Sequence, residues 1–67
     1  MIKLKPIDHD VILAMCENNL RVSCAADDLH VHRNTVMYRC DVIKRETGLN
    51  PRNFYDAHRL LKLIQAK

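Results

Sequence analysis

Three residues, "HVH" at positions 30–32, constrain this chain more than any other stretch. Before them, in "SCAADDL", Ala25, Ala26 and Leu29 are spaced for one face of a short helix. After them, Val36, Cys40, Ile43 and Thr47 recur at steps of four, three and four, the inner stripe of a longer helix. A joint this short forces the two helices to meet at a sharp angle, which is the geometry of a helix-turn-helix. Val31 should plug the joint. His30 stands where such turns often carry Gly, so it should take a left-handed backbone, which His tolerates better than a β-branched residue does. His32 should cap the second helix through a ring nitrogen, and Gly48 should close it.

The rest of the chain reads the same way. One Gly and two Pro among 67 residues leave few tight turns, which favours helices over hairpins. The first helix is predicted over about 8–19, with Asp8 as N-cap and Ile12, Met15 and Cys16 facing inward. The second is predicted over 23–29 with Ser23 as its N-cap, and the third over 33–47. The fourth is predicted over 52–66, capped by Asn50 or Asn53, with Pro51 near its start. Phe54, Ala57, Leu60, Leu61 and Ile64 would be its buried stripe. The expected fold is all-α: residues 1–67 form one small four-helix domain with a central helix-turn-helix and no wing.

Charge is divided unevenly. Residues 1–31 hold three Lys/Arg against five acids, and residues 32–67 hold eight against three. A basic half points to a polyanionic partner, nucleic acid first. No apolar run approaches the roughly 18 residues of a membrane span, and the opening "MIKLKPIDHD" does not read as a signal peptide. Cys16, Cys24 and Cys40 are odd in number and form no Cys-x-x-Cys pair, so free thiols in a reducing cytoplasm are expected. Cys24, His30, His32 and Cys40 match no known zinc spacing, so no metal is expected. Nor is a cofactor or small-molecule ligand. The chain holds no Gly-rich phosphate loop and no plausible nucleophile–base set, and its length leaves little room for a pocket, which argues against an enzyme.

The string "AADDLHVHRNTVMYRCDVIKRETGLN" resembles the C-terminal helix-turn-helix of the purine-catabolism and sugar-diacid regulators, the PucR-like family. The matching residues are Ala26, Leu29, Val31, His32, Arg33, Asn34, Thr35, Tyr38, Arg39, Thr47 and Gly48. Helices resembling 8–19 and 53–66 flank the motif in that family, so the resemblance covers nearly the whole chain. Departures are Val36 and Cys40, where Leu is usual, Cys24, and Met37, where a basic residue is common. The first three imply a slightly smaller core, and the last bears on which base is read. Members of the family are longer, with effector-sensing and dimer-forming regions before this domain. The resemblance therefore implies the DNA-binding end of a cytoplasmic bacterial transcription regulator acting as a homodimer.

The physics of groove recognition leads to the same residues. The major groove admits one α-helix, and a helix-turn-helix leads with the N-terminal part of its second helix. Arg33, Asn34, Thr35, Met37 and Tyr38 occupy that part, and all are candidates to read bases. Arg33 suits guanine and Asn34 suits adenine, each bidentately. Ser23, Arg39, Lys44, Arg45 and Arg52 are the candidate phosphate contacts, which set register and affinity. Arg39 flanks the inner stripe and has an alternative, pairing with Asp27 or Asp28. Lys3 and Lys5 read as a frayed arm. A module that contacts protein through its first or fourth helix is the competing function class. RNA is disfavoured, because only Tyr38 among three aromatic residues would lie on the binding face.

Overall fold

A computed structural model describes residues 4–65, as four helices: α1 (Pro6–Glu17), α2 (Val22–Leu29), α3 (Arg33–Thr47) and α4 (Phe54–Gln65). No strand occurs among the described residues. The fold is all-α, and none of the described helices is long and apolar enough to cross a membrane. Lys3 and residue 66 of the expected fourth helix lie outside the described residues.

Helix α1 begins and ends two residues earlier than its pattern suggests. Pro6 supplies the first turn, where a missing N–H costs nothing. Asp8 is therefore not the N-cap. It sits in the first turn, and its Oδ2 accepts the Lys5 N–H at 2.9 Å. At the other end Asn19 and Leu20 both have left-handed backbones, with φ of 54° and 64°. The Leu20 N–H then donates to the Met15 carbonyl at 2.8 Å. A left-handed leucine costs on the order of 1 kcal/mol. Its side chain recovers part of this by packing on the core. Asn18 Nδ2 donates both to the Ala14 carbonyl (2.8 Å) and to Asp28 Oδ2 (2.7 Å), which ties α1 to α2.

Helix α2 starts at Val22, so Ser23 is inside the first turn and is not its cap; Arg21 precedes the helix and gives no side-chain capping bond. The exit follows the sequence closely. His30 is left-handed (φ 56°), the His30 N–H reaches the Asp27 carbonyl (3.2 Å), and the Val31 N–H reaches Ala26 (3.0 Å). This is the paired hydrogen bonding of a Schellman ending. Val31 is half-buried against the core, as a plug should be. One residue later His32 Nδ1 accepts the Asn34 N–H at 3.1 Å and opens α3. Gly48, at φ 75°, closes that helix and donates to the Lys44 carbonyl at 2.8 Å. Glycine enters the left-handed region without steric penalty.

Asn53, not Asn50, caps α4: its Oδ1 accepts the Asp56 N–H at 3.1 Å. Asn50 shapes the turn before it, accepting the Arg52 N–H (3.0 Å) and donating to Asp56 Oδ2 (3.1 Å). Pro51 is buried in that turn, ahead of the helix.

The core forms where α1 meets the other three helices. Val11, Ile12 and Met15 of α1 are fully buried, as are Ala25 of α2, Val36 and Ile43 of α3, and Leu60 of α4. Each large side chain among them contributes about 1.5–3 kcal/mol by leaving water. The alanines of α2 let α3 approach closely. Helix α4 packs on α1 alone among the helices. Ala57 and Leu60 are buried and Leu61 and Ile64 half-buried, but Phe54 is 60% exposed. Its place in the expected buried stripe is corrected for a simple reason. It sits beside the end of α1, where Cys16, Asn19 and Leu20 line an open cleft. There the ring meets Tyr55 and His58 edge-on, with centroids at 5.5 and 4.5 Å.

Cys40 fills the space between the helices, 1% exposed. Burial pushes its thiol up to about 11, with Arg52 pulling the other way and Asp41 adding to the rise. Cys16 is raised as well, by burial and by neighbouring Glu17, and its Sγ donates to the Ala57 carbonyl at 3.7 Å. Thiols held protonated are poor nucleophiles.

Candidate nucleic-acid interface

The turn between α2 and α3 brings the N-terminal ends of both helices to one side of the molecule. An open groove lies between them, lined by Arg21, Val22 and Ser23 from the start of α2 and by Arg33, Asn34 and Met37 from α3. Arg52, from the turn before α4, closes its rim. Three guanidinium groups thus surround one concavity, and among the described residues lining it none is acidic. Two helix N-termini add their partial positive charge to the same side.

Five of the ten residues singled out from the sequence share this groove: Ser23, Arg33, Asn34, Met37 and Arg52. Arg33 and Asn34 are the first two residues of α3 and are exposed. The His32 cap occupies the Asn34 backbone N–H and leaves its side chain out of the capping bond. Thr35 and Tyr38 are also exposed, Tyr38 at 58%, but they face outside the groove along the front of α3. Met37, 40% exposed, and Val22 are the apolar residues that line the groove. Lys44 and Arg45 project from the last turn of α3, a turn and more away from the groove. Two cations there also suit the negative end of the helix.

Arg39 is placed differently from the other cations. Its Nε donates to Asp8 Oδ1 at 2.7 Å, and its Nη2 approaches the same oxygen at 2.7 Å. The Arg39 side chain is 13% exposed and the Asp8 side chain 2%. The pairing with Asp27 or Asp28 expected from the sequence is therefore corrected to Asp8. Proximity along the chain favoured the residues of the preceding helix, whereas folding brings in a carboxylate 31 residues away. The Arg39 guanidinium carbon also lies 5.7 Å from the centre of the Tyr38 ring.

Arg21 and Val22 are the lining residues that the sequence did not single out, and Arg21 is the charged one. For Arg21 the signal was slight: a cation immediately before a short helix. Nothing local distinguishes it from a solvated surface arginine until Arg33 and Arg52 are brought beside it.

With this geometry in place, one comparison is decisive. A family model described as the PucR C-terminal helix-turn-helix domain matches residues 9–65. The chain belongs to that family. Among curated proteins and solved structures nothing matches it. The matched residues 9–65 include every residue that lines the three-arginine groove.

Proposed function

We propose that this PucR-type domain binds double-stranded DNA sequence-specifically, with α3 in the major groove and its N-terminal turn leading. The observation that carries this reading is the acid-free groove formed by Arg21, Arg33, Arg52 and the starts of α2 and α3. Arg33 and Asn34 present the two side chains best suited to bidentate base recognition. Thr35 and Tyr38 reach a base edge or phosphate from the front of α3. Met37 offers apolar contact to a thymine methyl group. Ser23, Arg21, Arg52, Lys44 and Arg45 hold the phosphates on either side. Catalysis has no part in this reading, and neither does a metal or cofactor.

The domain acts as the DNA-binding end of a longer cytoplasmic regulator that binds as a homodimer. Helix-turn-helix dimers read two half-sites about 34 Å apart. The single domain then binds one half-site weakly, and fusion to an unrelated dimerisation domain recovers tight binding to an inverted repeat by raising effective concentration. The test is selection of bound sequences from a random duplex pool, at moderate salt, with such a fusion. Enrichment of an inverted repeat is expected, with affinity falling steeply as salt rises. Failure to enrich any motif overturns direct readout.

A second reading rests on α4. Phe54 and Tyr55 are 60% and 73% exposed, Phe54 lines the cleft at the end of α1, and the two rings suit contact with another protein. Association through that face would be nearly indifferent to salt, which separates it from DNA binding.

A further inference from the structure

We infer that Asp8 and Arg39 form a positioning pair that sets α3 against α1 for sequence discrimination, and that Arg39 makes no phosphate contact. The inference rests on the DNA-binding reading and deepens it. Asp8 is 1% exposed, yet every bond it makes is directed. Oδ2 takes the Lys5 N–H at the start of α1, and Oδ1 takes the Nε of Arg39, with Nη2 at the same distance. Among the described side chains no buried polar atom is left without a partner, and both oxygens of Asp8 are engaged. The start of one helix is thereby pinned to the middle of another by one directed Nε–H hydrogen bond and the Nη2 ion-pair contact beside it, both on Oδ1, and this fork of two nitrogens on a planar guanidinium limits direction as well as distance.

The position of the pin matters. Arg39 follows Tyr38 on α3 and lies one turn from Thr35, while Asp8 belongs to a helix that contributes nothing to the groove. Apolar contacts of Val36, Cys40 and Ile43 hold α3 to the core but are non-directional, and they tolerate a small roll of the helix. The guanidinium–carboxylate fork does not. A small roll of α3 would shift Arg33, Asn34 and Tyr38 together relative to base edges, where bidentate bonds accept little displacement. A charge buried in this way is also unavailable to DNA, because withdrawing it would leave the Asp8 carboxylate uncompensated.

The experiment uses the 67-residue chain with its selected half-site and with random duplex, each over a range of salt. Asp8→Asn removes a negative charge from a residue that does not touch DNA. A positioning pair predicts a fall of roughly tenfold in the ratio of specific to random binding, about the worth of one base contact, with an unchanged salt slope. A phosphate-binding Arg39 predicts an unchanged ratio, since freeing the guanidinium would tighten all duplexes alike. Arg39→Gln should repeat the loss of discrimination and leave the slope unchanged. A slope lowered by about one unit, as expected for Arg45→Ala, would overturn the inference. If either variant fails to fold, Arg39→Lys decides. It keeps the charge but not the fork, so positioning predicts several-fold poorer discrimination, and phosphate contact predicts none. A wild-type chain that prefers no sequence overturns the DNA reading itself. A wild-type chain that discriminates, beside variants that discriminate equally well, overturns only the pair.

Discussion

The α2–α3 junction and helix α4 are built on different principles. Between Leu29 and Arg33 nearly every backbone group is directed by a neighbour in sequence. His30 turns left-handed, Val31 bonds back to Ala26, and His32 caps the helix it precedes. Helix α4 has a comparable local start in Asn53, but its facing is decided by whatever it can reach, which is α1 alone. The junction therefore follows from its own residues, and α4 follows from its support. Any sequence-local feature should be robust in the first region and negotiable in the second.

The largest break in this comparison comes from the core that holds α3. Ile43→Ala should cost about 2–5 kcal/mol, because Ile43 is fully buried between helices that cannot easily close the cavity. Chemical denaturation measures it, and a cost below about 1 kcal/mol would mean that α3 is held mainly by its ends. Next is the outward face of the same helix. Arg33→Ala should cost about 1–3 kcal/mol in binding the selected site and relax one base position, with folding nearly unchanged. Unaltered affinity would remove Arg33 from the base readers.

Two smaller changes act on the joint itself, with opposite signs. His32→Ala should destabilise by about 0.5–2 kcal/mol through loss of the cap, and His32→Asn should keep most of the stability. Equal melting temperatures for all three proteins would show that the Nδ1 bond contributes nothing. His30→Gly should stabilise by up to about 1 kcal/mol, since glycine takes the left-handed backbone without a Cβ penalty. A lower melting temperature would mean that the His30 side chain has a role that its exposed position does not suggest. The smallest effect belongs to α4. A buried Phe54 would cost about 3–5 kcal/mol on truncation to Ala. At 60% exposure Phe54→Ala should cost about 0.5 kcal/mol or less. A large loss would place the ring in the core after all and erase the contrast between the two regions.

Much of the fold was legible because helix ends are short-range events. Gly48, His30 and His32 act on groups within a few residues, so their chemistry can be read from adjacent letters. The inner stripe of α3 was legible for the same reason, since a helical repeat is a local geometry. The errors at Asp8 and Ser23 were also local. Both residue types suit a cap, but Pro6 and Val22 had already begun the helix. For the candidate site, Arg33, Asn34 and Met37 could be named from their place in the first turns of α3. Arg21 could not, because its relevance depends on Arg52, which approaches it only in three dimensions.

What the sequence by itself determined is the number of helices, the sharp joint and the identity of the leading residues of α3, all set by bonds and packing periods that span one or two turns. Tertiary structure alone decided that Asp8 would meet Arg39 across 31 residues, that three arginines would ring one groove, and that Phe54 would stand outside the core. The physical reason is the range of the forces. Backbone hydrogen bonds are satisfied within a turn and leave their signature in neighbouring residues. A buried charge or an apolar ring takes its partner from whichever helix the collapsed chain brings beside it, and a helical period records only which way a side chain points.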